Sequence, residues 1–519
     1  MKFLRLSLLS LVIPLSLIAG CGGSGGNGSG GPPPPSANVL NGQYAFVLSG
    51  FDANANQMGL AGSITADAHG SITGGSVDVN DNQVISSSSA LAGSFTLDSN
   101  FRGTITLTSA VPGVTHPLAF AFTLKADGTA GNMIGIDANG FIISGTMQKQ
   151  DATSFSLAKI AGDFAFELDS RGPSQNSLLG RFTLNSSGTT TNVVLDLGVA
   201  GVGPTGPSTG GTVAATFAAA GPNGSGRGTV SLTDNANVAR SFVYYVVAAG
   251  TSLVMETDQT GSVQTVYTGV ASKQTFPLSS TMAASVFALS GFDTVSPNDL
   301  SAVGVLTVTG SNTASLLWDA DDVGLISPQI AVAGQAVTFD PITGRGTIAA
   351  AGGHSHGLFD TAVFYLTSAG NGFLLDTTSG TNNRALAGRL HVQTGSGSFA
   401  QATFSGNKIV RQTAVSVNDV VAAGAVEGLL SDSASNNLLT ETAYIDSKFP
   451  GFNPTLNQTG TGTENIAIDS TTGRVTLTFT VQGVLNRNVV YMIGPDQYVG
   501  VDETPVPNNT IPIMFADPQ

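Results

Sequence analysis

The feature that most constrains this chain is a segment that recurs along it at intervals of about 120 residues. Residues 44–52 (YAFVLSGFD) are repeated closely at residues 285–293 (SVFALSGFD), and a shorter copy, FAFELD, occupies residues 164–169 between them. A fourth, degenerate start falls at residues 404–410. The 519 residues are therefore predicted to form four similar units rather than a single domain.

Other landmarks keep the same order within each unit. A glycine opens the second segment, an arginine marks a turn near the middle, and an aspartate ends a later strand. The glycines are Gly62, Gly180, Gly304 and Gly424. The arginines are Arg102, Arg227, Arg345 and Arg474. The aspartates are Asp137, Asp258, Asp376 and Asp502. The first three units also close with a glutamine, at Gln150, Gln274 and Gln393.

Between the landmarks the sequence alternates apolar and polar residues, as in residues 103–108 (GTITLT), and Asp-Gly, Asn-Gly and Ser-Gly pairs separate the segments. This pattern predicts half-buried strands joined by hairpin turns. We therefore expect an all-β chain of four tandem antiparallel barrel- or sandwich-like units, with a closed meander barrel as the first choice because closure removes exposed strand edges. In outline each unit resembles lipocalin- or avidin-like barrels. The predicted unit boundaries are 39–152, 156–276, 280–395 and, for the degenerate unit, 398–519.

The N-terminus has the pattern of an export signal. Lys2 and Arg5 precede a short apolar run, which ends in Ile18-Ala19-Gly20-Cys21. That tetrapeptide resembles the lipobox of bacterial lipoproteins. The resemblance implies a signal peptide over residues 1–20, cleavage before Cys21, and lipidation of its sulfur. Cys21 is the single cysteine, so an intrachain disulfide is excluded.

Residues 21–38 form a Gly/Ser/Pro-rich linker, whose composition favours a flexible and then extended stalk of roughly 30 Å. The whole chain resembles the repetitive β-rich lipoproteins of soil bacteria. Because Gly22 rather than Asp follows the cysteine, the resemblance implies passage to the outer membrane. We therefore expect a protein attached to the cell envelope through its N-terminal lipid.

Composition narrows the partners. Only 10% of the residues are charged and the net charge is −15, which argues against nucleic acid, since nucleic-acid binding depends on basic surfaces. A hydroxyl- and amide-rich surface instead leaves an envelope polymer or an extracellular glycan open as partners.

Three local patterns suggest chemistry, and each has a simpler explanation. Residues 353–357 (GHSHG) match the nucleophile elbow around Ser355, but that elbow needs a strand–turn–helix, and this segment lies between strands. His354 and His356 could bind a metal, although no third ligand is evident. The Asp/Asn runs at 52–56, 78–81 and 319–322 suggest calcium, yet they lack the EF-hand pattern, and Asx residues are common in turns. We predict no catalytic residue and no cofactor, with calcium as the alternative.

The repeated arginines and aspartates have two interpretations. They could be a ligand or polymer contact displayed four times, or they could be structural, with each arginine paired to a carboxylate such as Asp137, Asp258, Asp376 or Asp502. Three functions follow: a non-enzymatic structural or adhesive scaffold, a module binding a glycan or small apolar ligand, and, least favoured, a hydrolase using Ser355.

Overall fold

A computed structural model describes residues 39–170, 176–199, 203–209, 214–218, 221–233, 238–258, 265–293, 298–310, 312–322, 325–349, 358–378, 385–414, 424–448, 454–481, 484–503 and 513–519. The expected signal peptide, Cys21, the linker, and the loop with His354, Ser355 and His356 lie outside these residues. The all-β prediction is confirmed, since antiparallel strands in four sheets make up nearly all of the described secondary structure. Two single-turn helices, α1 (Leu157–Ile160) and α2 (Gln401–Phe404), precede the second and fourth sheets.

Each sheet is formed by the strands of one repeat, which we call units 1 to 4. The strands of unit 1 are β1 (Asn41–Phe51), β2 (Gln57–Asp67), β3 (Ser71–Asp81), β4 (Val84–Ser88), β5 (Gly93–Phe95), β6 (Arg102–Leu107), β7 (Ala119–Leu124), β8 (Ala130–Gly135) and β9 (Ile142–Lys149). Those of unit 2 are β10 (Gly162–Asp169), β11 (Asn176–Leu184), β12 (Thr190–Val199), β13 (Gly203–Thr209), β14 (Ala214–Phe217), β15 (Arg227–Thr233), β16 (Ala239–Ala248), β17 (Thr251–Glu256) and β18 (Thr268–Lys273).

Units 3 and 4 have eight strands each. Those of unit 3 are β19 (Met282–Asp293), β20 (Asn298–Val308), β21 (Thr313–Asp322), β22 (Leu325–Asp340), β23 (Arg345–Ala349), β24 (Thr361–Ser368), β25 (Asn371–Asp376) and β26 (Ala385–Val392). Those of unit 4 are β27 (Gly406–Ala414), β28 (Gly424–Ser435), β29 (Leu438–Lys448), β30 (Thr455–Ile468), β31 (Arg474–Val481), β32 (Val484–Gly494), β33 (Gln497–Asp502) and β34 (Ile513–Pro518).

Units 1, 3 and 4 are closed barrels. In units 3 and 4 each of the eight strands pairs with its sequence neighbour and the last strand returns to the first. In units 3 and 4 one long strand, β22 or β30, spans the wall. In unit 1 two short strands replace it, because β3 pairs with β4 along its second half and with β5 at Ser71 and Ile72. Unit 2 has the same division, but its β12–β14 closure is reduced to one bridge, between Thr189 and Thr216.

A phenylalanine packed over a glycine explains one of the sequence landmarks. Phe46 of β1 lies opposite Gly62 of β2, and a Cβ on that glycine would fall 2.4 Å from the Phe46 ring. The equivalent pairs are Phe166 with Gly180 and Phe287 with Gly304. Glycine is needed here because any side chain would occupy the space of the ring. In unit 4 the landmark Gly424 is the first residue of β28, and the glycine at this register is Gly428, opposite Val410.

The four units form a closed ring. Outward-facing apolar side chains of units 1, 2 and 3 share one buried cluster, which includes Ala61, Met255 and Leu375. A second cluster joins units 3 and 4. A smaller one, including Ile134 and the partly buried Leu456, joins unit 4 back to unit 1. The ring brings the first and last strand of every barrel toward a common centre.

Candidate functional site

The landmark arginine of each later unit forms an ion pair with a buried aspartate of the unit before it. Arg474 donates from Nε to Oδ2 of Asp319 at 2.7 Å and from Nη2 to Oδ1 at 2.6 Å. The same two-bond geometry, at 2.7–2.8 Å, is formed by the pairs Arg227–Asp78 and Arg345–Asp196. Such bidentate pairs combine charge with directional bonding, and therefore fix how one barrel sits against the next.

A tyrosine completes each of these three pairs. The hydroxyl of Tyr491 donates to Oδ2 of Asp319 at 2.6 Å, and Tyr245 and Tyr365 do the same for Asp78 and Asp196. Burial acts to raise the pKa of Asp319, but bonds from Arg474 and Tyr491 are among those that outweigh it and hold the pKa below its ordinary value. The carboxylate is therefore kept charged inside the interface.

The contact between the last and first units is different in detail. The distance between Nη2 of Arg102 in unit 1 and Oδ1 of Asp446 in unit 4 is 2.6 Å. Both side chains are buried, yet neither Nε nor Nη2 of Arg102 forms a hydrogen bond of good geometry with any of the described residues. Thr123 stands opposite Arg102 where the other units have tyrosine. The ring is thus closed by an ion pair that lacks the directional bonds of the other three.

The closing glutamines add a second repeated contact between units. The amide of Gln393 donates to the carbonyl oxygens of Thr472 and Met492 in the next unit, at 2.8 and 2.7 Å. Gln150 and Gln274 each reach two carbonyls of the next unit in the same way. Gln519 donates to the carbonyl of Asn100 at 3.1 Å, which is the equivalent contact from unit 4 to unit 1. The glutamine landmark therefore marks the joint between barrels.

The structure places the four arginines in contacts between units, with side chains between 3% and 30% exposed. Their ion-pair partners are Asp78, Asp196, Asp319 and Asp446 of another unit, rather than Asp137, Asp258, Asp376 or Asp502. Asp78, Asp196, Asp319 and Asp446 themselves recur at about the repeat interval, which is the signal that would have identified them.

The aspartates predicted as partners lie instead at the ends of strands. Asp137 accepts a bond from the backbone of Asn139 at 2.8 Å, and Asp376 accepts two from Thr378. Burial raises the pKa of Asp137. Asp258 lies two residues beyond β17 and is half-buried, and Asp502 is the buried last residue of β33. Asp137 and Asp376 therefore cap turns within their own units.

The Asp/Asn runs serve the same two purposes. Asp52 accepts bonds from the backbone amides of Asn54 and Asn56 at 2.8 and 2.7 Å, as expected of a turn. Asp78 and Asp319 are engaged by arginines. Among the described residues, no group of three or more His, Cys, Asp or Glu side chains is arranged to hold a metal ion.

The units enclose a cavity of about 220 Å³ where they meet, which we call the central cavity. The first strand of each barrel places one residue at the same register in its wall, namely Val47, Glu167, Ala288 and Arg411. The repeat thus brings four equivalent positions together, but they are occupied by two apolar, one acidic and one basic residue. A symmetric site with one ligand contact repeated four times is therefore excluded at this register.

The lining of the central cavity is polar. The distance between Nε of Arg389 in unit 3 and Oε2 of Glu167 in unit 2 is 3.6 Å. Burial and the charge of Arg389 lower the pKa of His391 to about 4, so the imidazole is neutral at pH 7. The hydroxyl of Ser144 is buried in the wall and has no hydrogen-bond partner within the described ranges. These groups could bind a polar ligand without a large net charge.

The barrel interior of unit 4 contains a cluster of charged side chains. Lys408 is fully buried at the register of Tyr44 and donates to Oδ2 of Asp432 at 2.8 Å. Glu441 and Glu464 lie near this pair. Burial and then the charge of Asp432 raise the pKa of Glu464 to about 7, and the same causes raise that of Glu441 well above its ordinary value. This interior therefore carries more carboxyl groups than it can keep ionised.

Comparisons with known proteins give no family. No protein-family profile matches the chain, and no curated protein matches it. A protein of unknown function from the DUF3598 family of Nostoc punctiforme matches 45% of this chain and 94% of its own, at 11% identity and a TM-score of 0.16. A mutant of the vaccine antigen transferrin binding protein B from Haemophilus parasuis Hp5 matches 95% of this chain and 98% of its own, at 10% identity and a TM-score of 0.17. With scores this low, neither likeness informs the function of this chain.

Proposed function

We propose that this protein is a lipid-anchored scaffold of the cell envelope and that it is not an enzyme. The observation that carries the proposal is the ring of buried inter-unit ion pairs, which turns four tandem barrels into one body. The residues that the repeat shares are used for holding barrels together. A function common to all four units is therefore mechanical rather than chemical.

The anchor follows from the sequence. The proposed attachment is through lipid on Cys21, at the outer membrane, with the linker over residues 21–38 separating the ring from the lipid surface. The described residues include no helix with the length and apolarity needed to cross a bilayer. A ring on a stalk presents its polar outer loops to an envelope polymer or to another cell.

The test compares four strains: one without the protein, and three complemented with the wild type, with Cys21→Ser or with Ser24→Ala, a matched control in the same linker. We expect only the wild-type protein and Ser24→Ala to incorporate labelled fatty acid and to fractionate with membranes. Envelope integrity and whole-cell adhesion, measured in the same strains, should be restored only by these two proteins.

Two results would contradict the proposal. If Cys21→Ser still fractionated with membranes and incorporated labelled lipid, Cys21 would not be the anchor. Turnover of an ester, amide or glycoside substrate by the purified protein, abolished by Ser355→Ala, would establish the hydrolase alternative instead.

A second candidate function is glycan binding in the central cavity. It is favoured by the polar wall, in which the Ser144 hydroxyl has no partner and Arg389 is half exposed. A glycan array with the wild type and Arg389→Ala tests it. A ligand whose binding the substitution weakens would support this function, and an array without any ligand would count against it.

A further inference from the structure

The interior of unit 2 is not completely filled by its side chains. It contains an apolar cavity of about 50 Å³, lined by residues that include Phe166, Phe182, Phe217, Leu184 and Val254. The cavity has polar groups only at Ser252 and Tyr244. An apolar cavity of this kind does not hold water well, because water there would lack the two to four partners that it needs.

Unit 2 has a small side chain at a register where units 1 and 3 have large ones, and unit 4 also has alanine there, Ala516 opposite Val410. Ala271 of β18 lies opposite Phe166. At the same register unit 1 has Met147 opposite Phe46, and unit 3 has Leu390 opposite Phe287. Met147 and Leu390 are buried in their barrel cores, so the loss of three side-chain atoms at Ala271 leaves space in unit 2.

Unit 2 also has a tyrosine, Tyr244, where units 1 and 3 have phenylalanine, and this residue adds a hydroxyl group to the barrel interior. Tyr244 lies opposite Gly228 in β15, at the register where units 1 and 3 have Phe122 and Phe364. Its ring is 2% exposed and packs edge-on against Phe217. The hydroxyl is buried and has no hydrogen-bond partner in the described part of the chain.

An unpaired buried hydroxyl is destabilising, and phenylalanine would fill the same position without that cost. The barrel nevertheless combines the unpaired hydroxyl with an apolar space beside it. Both features are explained together if a guest molecule occupies the space and accepts the hydrogen bond.

We propose that unit 2 binds a small apolar molecule that presents one hydrogen-bond acceptor, such as a carbonyl oxygen, to Tyr244. The size of the cavity limits the enclosed part to a few non-hydrogen atoms, well below the volume of a drug-sized site. The ligand class is a short neutral ketone or aldehyde, or the carbonyl-bearing end of a longer apolar chain. This site is independent of the proposed scaffold function.

The experiment uses the full chain with Cys21→Ser, because detergent needed for the lipidated form would compete for the cavity. Two probes are titrated and followed by methyl NMR at Leu184 and Val254: 2-butanone, which has an acceptor, and xenon, which has none. The variants are Tyr244→Phe and Ala271→Leu, which restore the residues found at these registers in unit 3.

We expect both probes to bind the parent chain at unit 2. Tyr244→Phe should weaken 2-butanone about three- to tenfold, as loss of one hydrogen bond predicts, and leave xenon binding unchanged. Ala271→Leu should abolish both, with the melting temperature showing that the fold is intact. Equal affinity of 2-butanone for the parent and Tyr244→Phe would overturn the role of the hydroxyl. Failure of both probes to shift the unit 2 methyl groups would overturn the site.

Discussion

Arg102 in the first barrel and Asp446 in the last form the ion pair that closes the ring, with 2.6 Å between Nη2 and Oδ1 and both side chains at most 5% exposed. A linear string of repeats would leave the outer faces of its end units exposed to solvent. Here those two faces cover each other. The chain therefore gains one interface more than a linear string of four units, and its ends are tied together.

Removing one partner of an inter-unit pair should destabilise the protein according to how buried that pair is. Arg474 is 9% exposed in its pair with Asp319, whereas Arg227 is 30% exposed in its pair with Asp78. We expect Asp319→Ala to lower the free energy of unfolding by about 3–5 kcal/mol, because it leaves a buried guanidinium unpaired. Asp78→Ala should cost less, about 1–2 kcal/mol, because water reaches Arg227. Urea unfolding measures both, and equal losses would contradict this account.

The closing interface should open before the others. Its apolar cluster is small and its arginine lacks the paired hydrogen bonds. We expect Asp446→Asn to raise amide exchange about tenfold in β7, β8 and β29, while the other interfaces keep their protection. The matched variant Asp196→Asn should instead expose the contact between units 2 and 3. Exchange that rises uniformly over all four units after Asp446→Asn would show that the ring opens as a whole.

The joint glutamines should matter more than their polarity suggests. Gln393→Leu leaves the carbonyls of Thr472 and Met492 without their donor inside an interface. We expect a loss of about 1–3 kcal/mol in the free energy of unfolding. The control is Gln43→Leu, whose amide donates to the carbonyl of Gly224 at an exposed position, and which should cost less than about 0.5 kcal/mol. Equal unfolding midpoints for the two variants would mean that the joint bonds add nothing.

Much of the fold could be predicted from the sequence because each barrel is held by local order. Strand alternation and turns are readable within a window of a few residues and predict the all-β class. The recurrence of the segment around Phe46 at about 120 residues predicts the number of units. Unit 2 was predicted like the others, since the reduced closure at Thr189 and Thr216 has no local signature.

The pairing between units could not be predicted in the same way. Arg227 and Asp78 are 149 positions apart, and a carboxylate in its own unit, Asp258, is much nearer in sequence. Only the ring arrangement brings the distant carboxylate close. The cavity of unit 2 was missed for a related reason, because Ala271 and Tyr244 are ordinary strand residues until their registers are compared with those of Leu390 and Phe364.

The charged interior of unit 4 should make stability depend on pH in an uncommon direction. The pKa of Glu464 is raised to about 7 in the folded chain from an ordinary value of 4.5, so the folded state binds its proton more tightly than the unfolded state does. The stabilisation is therefore complete below pH 4.5 and is lost as pH rises through 7. We expect Glu464→Gln, which mimics the protonated acid, to remove about 2–3 kcal/mol of the fall in unfolding free energy between pH 5 and 8. Asp127→Asn is the control, because its carboxyl pKa is lowered by Thr129 and it stays ionised throughout that range. Parallel stability curves for wild type and Glu464→Gln, measured by urea unfolding at each pH, would show that Glu464 is ionised in the folded barrel.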